Sequence, residues 1–77
     1  MIYTNEITLK VQSVFGLNAS EYSADCIRNK LSDKIYEYEQ IILNAPESDD
    51  IDIYRTKLAH VRDVDTLFMD RYLKELT

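Results

Sequence analysis

The sequence predicts an all-α fold, a short N-terminal helix packed on a long antiparallel helical hairpin. Three observations predict it. From about Ala19 to Asn44, and again from about Asp49 to Leu76, apolar side chains recur at the spacing of one helix face. A short Ala45-Pro46-Glu47-Ser48 connection joins the two stretches, and so short a link makes them antiparallel neighbours. Ahead of them, the first fifteen residues end at Gly16, the chain's only glycine.

In that first stretch Ile7, Leu9 and Val11 alternate with Thr8, Lys10 and Gln12 as a strand would, while Ile7, Val11, Val14 and Phe15 also fit one face of a helix. The punctuation favours a helix over residues 5 to 15. Thr4 or Asn5 can cap it, Glu6 lies in its first turn four residues before Lys10, and Gly16 stands where a left-handed residue closes a helix.

For the second helix, Asn18 is the expected cap, with Glu21 completing a capping box and Leu17 and Tyr22 forming a hydrophobic staple. Ala24, Ile27, Leu31, Ile35, Tyr38, Ile42 and Ala45 fall within about 40° of one line, a narrow stripe that suits one main neighbour. Pro46 stops this helix, and Ser48 or Asp49 caps the next. Along the third helix Tyr54, Leu58, Val61, Phe68, Tyr72 and Leu76 centre an apolar stripe, flanked by Ile51 and Met69 on one side and Ile53 and Val64 on the other. That arc spans roughly 160°, wide enough for two neighbours: the second helix, and either the first helix or another subunit.

No internal repeat or linker divides the chain, and 77 residues make one domain. A domain of this size buries only about 60% of its unfolded surface, so self-association, as a dimer, is expected to support it. Metal or disulfide staples are not expected: the chain has one cysteine, Cys26, and one histidine, His60, whereas a structural zinc takes about four such ligands. The lone thiol suits a reducing compartment, and the sequence shows neither a secretory signal nor an apolar run of spanning length. A cytoplasmic protein, off the membrane, is the expectation. The net charge of −5, from fourteen acids against nine bases, opposes broad attachment to phosphate backbones or anionic lipid.

Candidate sites are few. Glu47, Asp49, Asp50 and Asp52 offer oxygen ligands for a hard cation, but they lack the glycine turn and terminal bidentate acid of a calcium loop and read better as compensation of a helix dipole. His60 and Asp63 share a helix face without a nucleophile or oxyanion hole beside them. Cys26 lies next to Asp25, which raises rather than lowers a thiol pKa. Asp65 falls inside the apolar arc of the third helix and calls for a cation, Lys30 or Lys34, across the hairpin. No cofactor is expected.

Six tyrosines are many for so short a chain. Tyr38, Tyr54 and Tyr72 belong to the core stripes. Tyr36 lies about 140° from its stripe and pairs in angle with Leu43, while Leu67 and Leu73 lie off the axis of the third helix. These four residues are the expected contacts for a partner protein, with Glu47, Asp49, Asp50 and Asp52 steering a basic one. The expected function is a small, acidic, non-enzymatic interaction module, a bacterial or phage regulator or inhibitor that docks a helix face onto its partner.

The run from Gly16 to Tyr22 leading into Ile27-Arg28-Asn29-Lys30-Leu31 resembles the second-helix region of ribbon-helix-helix DNA-binding proteins, with Ile7, Leu9 and Val11 in place of their strand. That resemblance implies a small nucleic-acid-binding transcriptional regulator of ribbon-helix-helix or helix-turn-helix kind, contacting DNA through Lys10, Arg28, Lys30 and Lys34. The family sets a strand and a full helix before its glycine, more than fifteen residues accommodate. It stands as the alternative to the interaction module.

Overall fold

The computed structural model describes residues 3–45, 47 and 49–76, without the side chain of Leu76. Three α-helices, α1 (Asn5–Phe15), α2 (Ala24–Asn44) and α3 (Ile51–Leu76), are joined by a 3₁₀ turn at Ala19–Glu21 and by the hairpin connection after Asn44. The predicted all-α hairpin with a short first helix is therefore present. Pro46 and Ser48, expected to stop one helix and cap the next, lie outside the described residues, as does the side chain of Leu76.

Residues 5–15 fold as helix because both ends of that helix are satisfied. Thr4 Oγ1 accepts from the Ile7 amide at 3.3 Å, and the Gly16 amide donates to the Gln12 carbonyl at 2.8 Å. Gly16 takes φ 70°, a left-handed conformation that costs a residue with a Cβ about 1–2 kcal/mol. Ile7 and Val11, one turn apart, are buried, whereas Leu9 between them is 65% exposed, so the alternation that imitated a strand selects no common face. No strand occurs among the described residues, which removes the strand on which the ribbon-helix-helix resemblance drew.

The second helix begins later than its predicted start at Ala19. A helix running through Tyr22 would pair the Tyr22 carbonyl with the Cys26 amide. Here that amide donates to Ser23 Oγ at 3.1 Å, and the Tyr22 carbonyl accepts from the Tyr3 hydroxyl at 2.8 Å. Ser23 is thus the cap of α2. Asn18 instead caps the 3₁₀ turn, its Oδ1 accepting from the Ser20 amide and hydroxyl at 3.2 and 2.8 Å. The turn seats Ala19 fully in the core, and Leu17 and Tyr22 no longer flank the first turn of an α-helix.

The hairpin is antiparallel: Tyr72 Oη lies 2.5 Å from Asp25 Oδ1, Arg62 meets Glu39 at 2.9 Å, and the Tyr38 and Tyr54 rings stand 6.0 Å apart. At its turn, the Asp50 carbonyl accepts from the Ile53 and Tyr54 amides at 3.1 and 3.2 Å. This opens α3 at Ile51 rather than Asp49. The core joins Ile7 and Val11 of α1, Ala19 of the 3₁₀ turn, Ile27 and Leu31 of α2, and Val61, Val64 and Phe68 of α3. As the wide arc of α3 required, it packs against both α2 and α1.

Length decides how far that three-helix core extends. Eleven residues make α1 about 16 Å long, against about 39 Å for the 26 residues of α3. The Tyr3 ring packs 6.4 Å from Phe68, and Ser13 Oγ lies 2.8 Å from His60 Nε2, so α1 covers α3 only between those levels. Beyond Ser13 the hairpin continues toward its turn as a two-helix arm. The radius of gyration, 13.4 Å, exceeds the roughly 11.5 Å of a compact chain of this length, and the long dimension is 43 Å.

Candidate functional site

The apolar surface that α1 covers does not end where α1 ends. On α2, Ile42 follows the fully buried Leu31 by eleven residues; on α3, Ile53 precedes the buried Val64 by eleven. Eleven residues bring a helix back to within about 20° of the same direction. Ile42 and Ile53 therefore point in the same directions as Leu31 and Val64, at levels past the last turn of α1. There Ile42 is half-buried and Ile53 is 53% exposed, although its stripe position alone would have placed it inside.

A cleft of about 260 Å³ marks the step, lined by Ser13 and Val14 of α1, Tyr38 of α2, and Lys57, His60 and Val61 of α3. Lys57 also borders a second, wider depression around Ile53, and its ammonium rests 5.7 Å from the centre of the Tyr54 ring. Tyr38 thus lines the cleft just beyond α1, with the Tyr54 ring beside it.

Charge is concentrated on the same arm. Residues 36–59 hold six acids, Glu37, Glu39, Glu47, Asp49, Asp50 and Asp52, against Arg55 and Lys57, so four of the five net negative charges lie in this segment. Three of the acids are engaged in surface pairs, Asp52 with Arg55 of the same segment at 3.6 Å, and Glu37 and Glu39 with Lys34 and Arg62 just outside it at 3.3 and 2.9 Å.

The residues singled out in the sequence do not converge. Tyr36 is 64% and Leu43 70% exposed, both on the outer side of α2. Glu47, Asp49, Asp50 and Asp52 are exposed beside Leu43 at the turn, ahead of or within the first turn of α3. Leu73 is exposed too, but at the opposite end of the molecule, near the level where Tyr72 meets Asp25. Leu67 is a correction: it is half-buried and packs against the core, because α1 occupies a direction that a bare hairpin would have left open.

Asp65 is a second correction. Lys30 and Lys34 lean instead over the rings of Tyr22 and Tyr38, and among the described residues no cation pairs with Asp65 within 4 Å. Burial raises its pKa, and the more distant Arg28 guanidinium only partly opposes this. Arg28 itself stacks 5.6 Å from the Tyr72 ring. The Tyr72 hydroxyl is held above its ordinary pKa, chiefly by its bond to Asp25 and secondly by burial. Three of the four cations nominated as a DNA patch are thus engaged with aromatic rings.

The serine beside His60 was invisible in the sequence, because 47 positions separate it from the histidine. Ser13 Oγ also lies 2.6 Å from the Lys10 carbonyl, to which it donates its one proton. It then accepts from His60 Nε2–H, the reverse of what a general base does to a nucleophile. Cys26 is half-buried and free. Among the described residues no group of three His, Cys, Asp or Glu side chains is placed to hold a metal, and no helix is long and apolar enough to cross a membrane. No family model matches the chain, and no curated protein or solved structure matches it.

Proposed function

We propose that this chain is a small non-enzymatic interaction protein, a bacterial or phage regulator or inhibitor working in the cytoplasm, which docks the turn end of its hairpin onto another protein. One observation carries the reading: exposed large apolar side chains, Leu43 and Ile53 with Tyr36 further along α2, lie on the arm that also bears four of the five net negative charges. Apolar contacts inside a field of one sign combine affinity with steering. The reversed hydrogen bond between Ser13 and His60 weighs against hydrolytic chemistry at the cleft.

Photo-crosslinking in the native host tests this reading. A photoreactive phenylalanine analogue at Tyr36 or Leu43 is expected to give one discrete adduct with another protein, absent when the probe sits at the exposed Leu9 of α1. Equal, diffuse labelling from all three positions would refute it.

A further inference from the structure

We infer that the open groove beyond α1 accepts one short, basic, amphipathic helix of a partner, seated end to end with α1 as the missing length of the third helix. The inference rests on the interaction reading above and names its partner class. Continuity comes first. Over Val61 to Phe68 α3 is covered by an apolar helix face, that of Ile7 and Val11, and past the end of α1 the cleft between Val14, Tyr38 and Val61 leads on to the depression around Ile53, with Lys57 bordering both. What covers that length of α3 is a helix, and the surface left open beyond it continues the same side of α3 through Lys57 and Ile53.

Size selects a single helix over a second copy. From His60 to Ile51 the open stretch is roughly 14 Å long, and paired helices leave a groove about 10 Å wide. That is well below the ~800 Å² per partner of a standard stable interface, but it suits three turns of one helix. Charge selects the same occupant. Two arms of this chain would set two like-charged segments face to face, whereas lysines flanking an apolar stripe would meet Glu47, Asp49 and Asp52 around the turn. Lys57, held over Tyr54 at the groove's inner end, leaves the acidic rim at the turn as the dominant field.

The test is a fluorescence anisotropy titration of the full chain with a stapled peptide of about 12 residues, leucine at i, i+3, i+4 and i+7 and lysine elsewhere. The lysine peptide is expected to bind in a salt-sensitive way and its glutamate counterpart not to bind. Ile53→Glu should weaken binding by about tenfold or more, while Leu9→Glu on the outer face of α1 should leave it unchanged. Amide shifts in the unmutated chain provide a second readout that does not depend on the variant folding, and they should centre on Ile42, Ile53 and Tyr54. Equal binding of the two peptides, shifts centred elsewhere, or no binding overturns the inference. So does a dimer of the free chain that Ile53→Glu dissolves, which would make a second copy the occupant. Crosslinks at Tyr36 and Leu43 without peptide binding would sink the groove and keep the interaction reading; peptide binding without crosslinks would do the opposite.

Discussion

Val64 and Ile53 face the same way on α3, one under α1 and one beyond it, so truncating each to alanine measures what α1 covers. Val64→Ala removes two buried methyl groups, about 1.6 kcal/mol at 0.8 per group, and leaves a cavity costing about 1 more. Alanine's better helix propensity returns about 0.6, for a net loss near 2 kcal/mol. Ile53→Ala removes three carbons, but the side chain is already 53% exposed, so about half of ~2.4 kcal/mol is at stake. The propensity gain cuts that to about 0.8, with little cavity to add. A domain of 77 residues has roughly 4–12 kcal/mol of stability, so neither variant is expected to unfold. Urea unfolding followed by helical circular dichroism, with both midpoints and slopes fitted, reads the difference. Equal losses at the two positions would mean that Ile53 is covered in solution and that the groove is not open.

Three further perturbations have defined outcomes. Gly16→Ala meets no atom within 4 Å, so its cost is the left-handed backbone alone, about 1–2 kcal/mol by thermal or urea melting. Ser23→Ala is expected to lose about 1 kcal/mol through the first turn of α2, and Asn18→Ala less, because it caps only three residues; the reverse order would return the start of the helix to Ala19. Asp65→Asn should stabilise the fold at neutral pH by about 0.5 kcal/mol, a figure kept small because the group is only half-buried. The sign follows from the raised pKa: protonated Asp65 suits the fold, and its contribution is full below the ordinary carboxylate range and falls away as pH rises through the raised value. The two proteins should therefore converge in stability below about pH 4 in a pH series of urea melts, and a constant offset across that series would refute the cause assigned.

Much of this architecture is legible in the sequence because it is written in local rules. The single glycine and Thr4 delimit α1, and the apolar period delimits the ends of α2 and α3 to within two residues, apart from the start of α2. That start was missed because two polar residues competed for the same role. Asn18 satisfies the local signature, yet the Tyr3 hydroxyl, 19 residues from its acceptor, takes the carbonyl that an earlier helix would have used. The site was only half legible for a related reason. Tyr36 and Leu43 are off-stripe by angle alone, so their exposure follows from one helix. The burial of Leu67 and the exposure of Ile53 depend on where a different helix begins and stops. The comparison of an 11-residue helix with a 26-residue one contained that signal, since the shorter could never cover the longer.

Native-state hydrogen exchange resolved to single amides tests the central claim most directly, that a three-helix core gives way to an uncovered two-helix arm. Amides at 27–35 and 61–68 should exchange only through global unfolding. Those at 39–44 and 54–57 should open locally at about 2 kcal/mol less, exchanging at least 30-fold faster, and should gain protection when the lysine peptide is added. Uniform protection along α2 and α3 in the free chain would contradict it.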